Sequence, residues 1–518
     1  MTFRIKSFSV EGENIKTPLV ELSKEEIVTN GNYFTVIIGN NGTGKTRFIS
    51  NLVEFFKNLS ERRVKAKFDY TLKYCIDDFD FYVEGRTGIV EKNIRYRKIK
   101  KPTCNKDMQY KDDLVIPNKV IALTTSISDK FPSDNYHYIR GVRSSRERER
   151  ETKKDLYTYL GHKFFNRISS RALIDRAIST FIINIGDYAH NKSYRHIFDY
   201  LDYEPVLKLA YKIIRPRYID EFPKFLTGSN LKKYLYACSV RRGGFRGEMI
   251  QKELEEKDDS YWDEIADIYN YMCQESKRKE EGVEFSFMVN FSSENEARER
   301  DLLGSEQARF YLYLEELRRL ELVRGPNIKM YKKKSGGEFD FSDASSGEAS
   351  ILSTLIALIP NIKNNSLIVI DEPEISLHPS WQSRYIELID RILDNKTGCH
   401  IVIATHSHFI ISDLPLERSH VVHFKDEKHH SITIDYIEKE TYGLSAEDIL
   451  LNVFGMPSTR NYYLSKEVSE ALELVAEGQM NSERFNYLQS KLKRYYPNLK
   501  KVDPLRDIIE TLLSLGNK

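Results

Sequence analysis

The chain has 518 residues, which at about 150 residues per domain predicts three or four structural units. Hydrophobic residues make up 40% and charged residues 30%, a balance that is typical of folded soluble chains and excludes a disordered one. The 79 basic and 77 acidic residues leave a net charge of +2, which excludes a histone-like polycation. The first residues lack the apolar region of a signal peptide, and the five cysteines form no CxxC pair. We therefore expect a cytoplasmic protein.

The first part of the chain has the pattern of an α/β domain. Phe3 to Val10 alternates as a strand does, and Phe34 to Ile38 is a continuous apolar run, typical of a strand covered on both faces. A glycine-rich turn and a predicted helix from Lys45 to about Leu59 follow. Val120 to Leu123 is a further buried-strand candidate. We assign 1–140 to the first lobe of this domain.

The middle of the chain changes character. Charges alternate from Arg146 to Glu151, and helical-looking stretches such as Ala172 to Ile185 follow, so we predict a mainly helical insertion over 141–284. Phe285 to Phe291 is predicted as a strand. Ser293 to Val323 is predicted as a long helix that ends near Gly325-Pro326.

The α/β pattern then returns over 285–440, and the last segment, 441–518, is predicted to be helical. Two buried strands and an amphipathic helix between them are predicted at Ser366–Ile370, His400–Ala404 and Trp381–Leu393. In the last segment, Asp503-Pro504 is a good helix start. Its helix is predicted to carry one apolar face, formed by Leu505, Ile508, Ile509 and Leu512.

The most specific motif is a phosphate loop of the pattern GxxxxGK[ST] between a predicted strand and a predicted helix. Its residues are Gly39, Asn40, Asn41, Gly42, Thr43, Gly44, Lys45 and Thr46. Glycines let backbone N–H groups surround a phosphate, and the helix N-terminus adds positive potential. Lys45 would reach the β- and γ-phosphates, and the Thr46 hydroxyl would be a ligand of Mg²⁺. The motif predicts binding of a nucleoside triphosphate.

Three further motifs lie after the phosphate loop in the chain. Asp371-Glu372 closes a buried strand, where Asp371 would hold Mg²⁺ and Glu372 would activate the attacking water. His406 follows the next buried strand and is a candidate γ-phosphate sensor. A serine-glycine segment before an apolar helix offers N–H and hydroxyl donors to an anion; it consists of Ser345, Ser346, Gly347 and Glu348.

Together these motifs resemble those of ABC-type ATPases, in the soluble branch that includes the SMC and overcoming-lysogenisation ATPases. In this comparison 39–46 resembles Walker A, 345–348 the signature, Asp371-Glu372 Walker B and His406 the switch histidine. Pro373 to Pro379 resembles the D-loop of that branch. The resemblance implies ATP and Mg²⁺ as ligands. It also implies a head-to-head dimer in which the signature of one protomer caps the ATP of the other.

One position departs from the family pattern. A glutamine normally follows the strand at 120–123, but the segment from Thr124 to Phe131 contains none. Ser126 or Asp129 could take its place at the metal, and the sequence leaves both open.

Features outside these motifs exclude several classes of protein within the family. The long insertion excludes a transporter subunit, the absence of sustained heptads excludes a chromosome-organising rod, and a TOPRIM nuclease would need an Asp-x-Asp pair that is missing. Gly443 to Gly455 resembles the segment after the histidine in the PtuA-type ATPases of the Septu anti-phage systems, which also occur with retrons. That resemblance implies a separate HNH nuclease as partner, and with retrons a reverse transcriptase and its DNA–RNA product.

The sequence leaves alternatives open. One is a genome-maintenance ATPase that acts on DNA without a nuclease, and another is a slow or inactive ATPase that serves as a nucleotide-gated scaffold. The tail helices either pack on the head or bind a partner, and His429-His430 is expected in an exposed hairpin. Basic clusters could bind nucleic acid; they are Arg95–Lys101, Arg241-Arg242 and Lys332–Lys334.

Overall fold

We describe the protein from a computed structural model. The structure describes residues 2–12, 15–24, 31–60, 65–66, 68–77, 79–86, 88–89, 94–100, 115–126, 129–133, 156–161, 163–164, 167–168, 177–178, 180–182, 184, 190–214, 225–242, 244–279, 282–291, 304–334, 336–427, 431–437, 441, 443–454, 462–499 and 503–515. Two sequence features lie outside the described residues, the charge run 146–151 and His429-His430.

The strands are β1 (Phe3–Gly12), β2 (Ile15–Lys16), β3 (Val20–Glu21), β4 (Tyr33–Gly39), β5 (Lys65–Ala66), β6 (Asp69–Ile76), β7 (Phe79–Gly85), β8 (Gly88–Ile89), β9 (Ile94–Lys100), β10 (Lys119–Thr124), β11 (Tyr157–Leu160), β12 (Lys163–Phe164), β13 (Arg167–Ile168), β14 (Val206–Ile213), β15 (Lys277–Lys279), β16 (Gly282–Asn290), β17 (Val323–Tyr331), β18 (Glu338–Asp340), β19 (Ser366–Asp371), β20 (His400–Ala404), β21 (Ser419–Glu427) and β22 (Ser431–Ile437).

The helices are α1 (Lys45–Ser60), α2 (Asn191–Tyr200), α3 (Gly228–Arg242), α4 (Gly244–Glu256), α5 (Asp259–Gln274), α6 (Gly304–Arg319), α7 (Ser346–Leu358), α8 (Pro379–Gln382), α9 (Tyr385–Ile392), α10 (His408–Ile411), α11 (Ala446–Asn452), α12 (Tyr462–Ala476), α13 (Glu483–Tyr495) and α14 (Pro504–Leu515). Short 3₁₀ turns cover Phe341–Asp343, Ile359–Asn361 and Tyr496–Asn498.

A seven-stranded sheet carries the functional motifs. Its order is β11-β10-β19-β20-β4-β21-β22, parallel except for β22. Every residue of β4, β10, β19 and β20 is buried, as expected of strands that have both faces covered. The sequence predicted these four strands to within two residues. The α/β class of the head is therefore as predicted.

Antiparallel sheets surround this parallel one. β1, β6, β7 and β9 pair in order, and apolar side chains of β1, β6 and β7 share a core with α1 and the parallel strands. Ring contacts tie this core together, such as Phe3 with Phe56 and Phe48 with Phe424. The apolar side chains of α1, Phe48, Leu52, Phe55 and Phe56, therefore belong to this core.

The predicted composition of 141–284 needs correction. This segment contains α2 to α5, but it also contributes β11 to the parallel sheet and β14 to a five-stranded antiparallel sheet, ordered β15-β16-β14-β17-β18. Leu209 of β14 pairs with Phe287 of β16 on one side and Ile328 of β17 on the other. A boundary at 284/285 would cut β16, so this sheet joins the predicted insertion to the segment that follows it.

Three smaller predictions also change. The helix predicted over 293–323 is described over Gly304–Arg319, and the chain around Gly325-Pro326 is not a helix end but part of β17. The helix predicted over 381–393 is divided into α8 and α9. Ile508 was assigned to the buried face of the last helix, yet it is 40% exposed.

The chain forms two compact units, Met1–Gly443 and Leu444–Lys518. In the second unit α12, α13 and α14 share a core of their own; its buried side chains are Val468, Ala471, Phe485, Leu488, Leu492, Leu505, Ile509 and Leu512. Of the helices that the structure describes, none combines the length and the apolar composition that crossing a bilayer requires.

Candidate functional site

The strand order brings the separate motifs to one edge of the parallel sheet. β20 lies between β4 and β19, with Ala404 paired to Ile37 on one side and to Asp371 on the other. On the far side of β19, Thr124 of β10 pairs with Asp371. Because parallel strands end on the same side, the segments after all four strands meet there.

The phosphate loop joins β4 to α1 in a conformation that needs glycine. Gly39 and Gly44 have φ values of +149° and +87°, which L side chains rarely adopt. A Cβ at Gly39 would also lie 2.3 Å from the carbonyl oxygen of Phe424. The Thr43 hydroxyl donates to the Asn40 carbonyl at 2.9 Å and closes the loop.

Lys45 begins α1 and is almost fully buried, with 4% of its surface exposed. Its Nζ donates to the carbonyl oxygens of Gly39 and Asn40, at 2.8 and 3.0 Å. Burial lowers the pKa of Lys45 to about 8, although the nearby carboxylates Glu372 and Asp371 oppose this shift. The amine is therefore positioned inside the loop, where an anion would stabilise its charge.

Asp371 and Glu372 lie where β19 ends. Asp371 is buried, and the Thr46 hydroxyl donates to its Oδ1 at 3.1 Å. Burial, together with the negative charge of Glu372, raises the pKa of Asp371 to about 7, and the Thr46 hydrogen bond offsets only part of that shift. An acid in this environment favours a bound cation.

The backbone of Glu372 is held from two sides. Its φ is +48°, an uncommon conformation for a residue with a side chain. Its N–H donates to the Ala404 carbonyl at 2.9 Å, and its own carbonyl accepts from the Thr125 hydroxyl at 3.1 Å. These bonds connect β10, β19 and β20 around one carboxylate.

His406 follows β20 and faces Glu372, with 3.7 Å between His406 Nε2 and Glu372 Oε1. Its backbone N–H donates to Glu374 Oε1 at 2.5 Å, which fixes the turn after the strand. Burial, and then the positive charge of Lys45, lowers the pKa of His406 to about 4. The ring is therefore neutral at pH 7 and can donate or accept a hydrogen bond.

A cavity of about 490 Å³ opens between these groups. Six of the residues predicted to bind nucleotide or metal line it, together with Ser126 and Asp129 from the segment after β10, whereas Gly39, Asn40 and Thr43 of the loop do not. Arg47 and Lys130 also line it, and sequence reasoning missed both. In the sequence, each is distinguished only by its position, Arg47 after Thr46 and Lys130 after Asp129. We call this space the phosphate-loop cavity; its lining is Asn41, Gly42, Gly44, Lys45, Thr46, Arg47, Ser126, Asp129, Lys130, Asp371, Glu372 and His406.

The signature segment is absent from that lining. Ser345 caps α7 in a capping box, in which Glu348 Oε2 accepts from the Ser345 N–H at 2.7 Å. The Tyr203 hydroxyl donates to the other oxygen of Glu348. A Cβ at Gly347 would lie 2.5 Å from the Ser376 carbonyl, so this glycine allows α7 to start against the loop that resembles the D-loop.

The cavity can hold a divalent cation. The Thr46 hydroxyl and the Asp371 carboxylate are hard oxygen donors of the kind that Mg²⁺ prefers, and they already lie within hydrogen-bond distance of each other. Burial and the negative charge of Glu372 raise the pKa of Asp371, so a cation bound there would stabilise its ionised form. The donor set therefore fits a magnesium ion that also binds a phosphate.

Comparison with known proteins agrees with this geometry. A family model described as "AAA domain, putative AbiEii toxin, Type IV TA system" matches residues 34–412, which include the loop, both carboxylates and His406.

Three curated relatives match shorter stretches. The chain is 32% identical over 131 residues to protein ea59 of Escherichia phage lambda, covering 25% of this chain and 24% of that protein. It is 22% identical over 125 residues to the Retron Vc95 probable ATPase of Vibrio cholerae, covering 22% and 24%. It is 26% identical over 168 residues to Septu protein PtuA of Bacillus thuringiensis, covering 29% and 41%. The chain thus spans less than half the length of each relative.

Proposed function

The chain belongs to this AAA family, and on that premise we propose that it is the ATP-binding and ATP-hydrolysing subunit of a bacterial anti-phage defence complex. In this proposal, ATP-dependent dimerisation of the head controls a separate HNH nuclease. The carrying observation is the phosphate-loop cavity, where Lys45, Thr46, Asp371, Glu372 and His406 line one space.

Each side chain has a role that its geometry supports. The loop N–H groups and Lys45 would bind the β- and γ-phosphates, and phosphate oxygens would replace the two carbonyl partners that Lys45 now has. Thr46 and Asp371 would hold Mg²⁺, which supplies charge neutralisation when bound. Glu372 would orient and deprotonate the attacking water, and neutral His406 would hydrogen-bond the γ-phosphate.

A dimer explains the position of the signature. Ser345 to Glu348 do not line the cavity of their own chain, so we propose that they act on the ATP held by a second copy. Gly347 packs against Ser376, so the signature and the D-loop segment would face the partner as one surface. ATP would then join two copies, and its hydrolysis would separate them.

Native mass spectrometry of wild type and Glu372→Gln, with and without Mg-ATP, tests this mechanism. We expect turnover to fall at least about 100-fold in Glu372→Gln, because a positioned general base contributes about 10²- to 10⁴-fold. ATP should then trap an even-numbered assembly. Lys45→Met removes the amine that is proposed to bind the phosphates. Its matched control is Lys57→Met, because Lys57 lies on the same helix and its Nζ donates to the Ser133 carbonyl. A monomer that is indifferent to ATP would contradict the head-to-head mechanism.

The nuclease partner is proposed from the likeness to Septu protein PtuA, and the second unit is the proposed binding region. This unit has its own hydrophobic core, and α12 exposes Tyr463 and Leu472, at 74% and 45%. Exposed aromatic and aliphatic side chains of this kind are typical of protein interfaces. The likeness to a retron ATPase extends the proposal to a reverse transcriptase with its DNA–RNA product.

Deleting 444–518 should abolish co-purification with an HNH nuclease encoded next to this protein, while nucleotide binding by the first unit remains. Tyr463→Ser with Leu472→Ser should weaken the same interaction without unfolding the unit, because neither side chain belongs to its core. If the nuclease still binds the deleted chain, the second unit is not the binding region.

One of the basic clusters predicted to bind nucleic acid, Lys332–Lys334, has acidic partners within the chain. Lys333 and Lys334 form ion pairs with Asp199 and Asp202, at 2.7 and 3.0 Å, so this cluster is partly neutralised. The side chains of 95–100 lie outside the described residues. DNA-stimulated turnover without any nuclease partner would favour the genome-maintenance alternative, and binding without turnover would favour a nucleotide-gated scaffold.

A further inference from the structure

The segment after β10 lacks the glutamine that ABC-type ATPases carry, and the structure distinguishes the two residues that could replace it. Ser126 and Asp129 both line the phosphate-loop cavity. β10 ends at Thr124, which pairs with Asp371, so this segment leaves the sheet directly beside the Walker B carboxylate. Either side chain could supply an oxygen ligand to a cation in the cavity.

Asp129 is held rigidly although it faces the cavity. Only 4% of its surface is exposed. Its Oδ1 accepts from the Phe131 N–H at 3.0 Å, and its Oδ2 accepts from the Tyr159 hydroxyl at 2.8 Å. A carboxylate oxygen that accepts a hydrogen bond can also bind a metal ion, because it has a second lone pair.

Tyr159 comes from a different part of the chain. It is fully buried on β11, where it pairs with Ala122 of β10. Its hydroxyl reaches Asp129 across the end of the sheet. β11 therefore contacts Asp129, a residue that lines the cavity, through the Tyr159 hydroxyl.

Ser126 is a weaker candidate than Asp129 for the metal ligand. It is half-buried, and its backbone N–H donates to the Thr124 hydroxyl at 3.1 Å. A neutral hydroxyl binds a hard cation less strongly than a carboxylate does.

We propose that Asp129 replaces the missing glutamine as the metal-side oxygen ligand, directly or through a metal-bound water, and that Tyr159 is its positioning residue. This proposal rests on the proposed function and deepens it, because it assigns the metal side of the ATP site. It also gives β11 a part in metal binding, because Tyr159 lies on that strand and its hydroxyl donates to Asp129.

Mn²⁺ binding to the ADP complex, measured by electron paramagnetic resonance, tests the proposal without relying on turnover. We expect Asp129→Asn to weaken Mn²⁺ binding at least about 10-fold. Tyr159→Phe should weaken it about 10-fold, which is the lower end of the effect of losing a group that orients a metal ligand. Ser126→Ala should change it less than about 2-fold, as expected of a residue that is not a ligand.

Tyr157→Phe is the matched control for Tyr159→Phe. Tyr157 lies on the same strand, is also buried, and donates to the Pro132 carbonyl at 2.6 Å instead of to Asp129. Its loss should leave Mn²⁺ affinity unchanged. If Tyr159 acts through Asp129, the double variant Asp129→Asn/Tyr159→Phe should bind Mn²⁺ no more weakly than Asp129→Asn alone.

ADP affinity measured in EDTA separates the two levels of the argument. A wild type that binds no ADP would refute the proposed function itself. Normal ADP binding in every variant, with Ser126→Ala weakening Mn²⁺ more than Asp129→Asn, would overturn only the assignment of Asp129. Equal effects of Tyr157→Phe and Tyr159→Phe would overturn the positioning role.

Discussion

The phosphate-loop cavity and a cluster between α4 and α6 both bury charged side chains, but they balance the charges differently. In the cluster, Arg319 forms ion pairs with Glu253 at 2.7 Å and Glu316 at 2.6 Å, and all three side chains are at most 7% exposed. In the cavity, Asp371 has Glu372 beside it, the Thr46 hydroxyl donates to it, and the nearby Lys45 has a pKa that burial lowers.

The pKa values express this difference. Burial would lower the pKa of Arg319, but Glu316 and Glu253 outweigh it and raise that pKa. Burial raises the pKa of Glu253, and Arg319 opposes that shift. Burial raises the pKa of Asp371 to about 7, and Glu372 adds to the shift. A buried carboxylate that is ion-paired to an arginine serves structure, whereas a buried carboxylate beside a second carboxylate in a cavity indicates where a cation binds.

The largest effect is expected from breaking the Arg319 cluster. Arg319→Met should lower the free energy of unfolding by about 3–5 kcal/mol, because it leaves two buried carboxylates without a partner. Urea unfolding at pH 7 measures this loss. Arg384→Met, at an exposed ion pair with Glu387, is the control and should cost less than about 1 kcal/mol. Equal losses in the two variants would show that the cluster is not a structural pair.

The opposite sign is expected in the cavity. Asp371→Asn should raise the free energy of unfolding by about 1–3 kcal/mol at pH 8 without nucleotide or metal, because the ionised carboxylate is unfavourable in the folded state. The sign follows from a folded pKa that lies above the ordinary value of 3.8: the fold loses stability as the pH rises from about 4 to about 7, and the loss is complete above pH 7. The gain should shrink as the pH falls below 7, where Asp371 is protonated in the folded protein.

Urea unfolding from pH 5 to pH 8 measures this gain. Asp390→Asn is its matched control, because Asp390 already has a partner in Arg418 at 2.8 Å. The control should be neutral or destabilising. A destabilised Asp371→Asn at pH 8 would contradict the comparison.

The smallest effect concerns a buried group that is neutral. His400 accepts from the Ile5 N–H at Nδ1, 3.0 Å away, and its Nε2 lies 2.8 Å from the Thr35 hydroxyl. Burial, then the charge of Arg4, lowers the pKa of His400 well below its usual value. The unfolded chain takes up a proton near pH 6.5 and the folded chain does not, so stability is lost as the pH falls below that value.

Between pH 6.5 and 5.5 the wild type should therefore lose up to about 1.4 kcal/mol more than His400→Asn, which retains an acceptor for the Ile5 N–H. Urea unfolding at both pH values gives the difference. Equal losses in the two proteins would mean that His400 is also protonated in the folded state.

Much of the head could be predicted because its elements are local. A parallel strand that is buried on both faces is a continuous apolar run, so β4, β10, β19 and β20 stand out in the sequence. The loop from Gly39 to Thr46 is equally local, because its glycines are required by backbone angles within a few residues. Chain order alone then placed Asp371, Glu372 and His406 after strands that end at one edge.

In the antiparallel sheet β15-β16-β14-β17-β18, the sequence predicted β16, as Phe285 to Phe291, but missed β14 and β17 for the opposite reason. β14 and β17 mix lysines with apolar residues, and β17 contains Gly325-Pro326, which we interpreted as the end of a helix. Partly exposed strands have no continuous apolar run, and only their pairing with β16 and β18 stabilises them.

The sequence by itself determined the phosphate loop, the strands that carry it and the order of the motifs, because hydrophobic runs and glycine requirements act over short stretches of chain. The tertiary structure alone decided which distant side chains meet: Tyr159 with Asp129, Glu374 with His406, and Gly347 with Ser376. These contacts depend on strand order and on packing between segments far apart in the chain. No local pattern of residues encodes them.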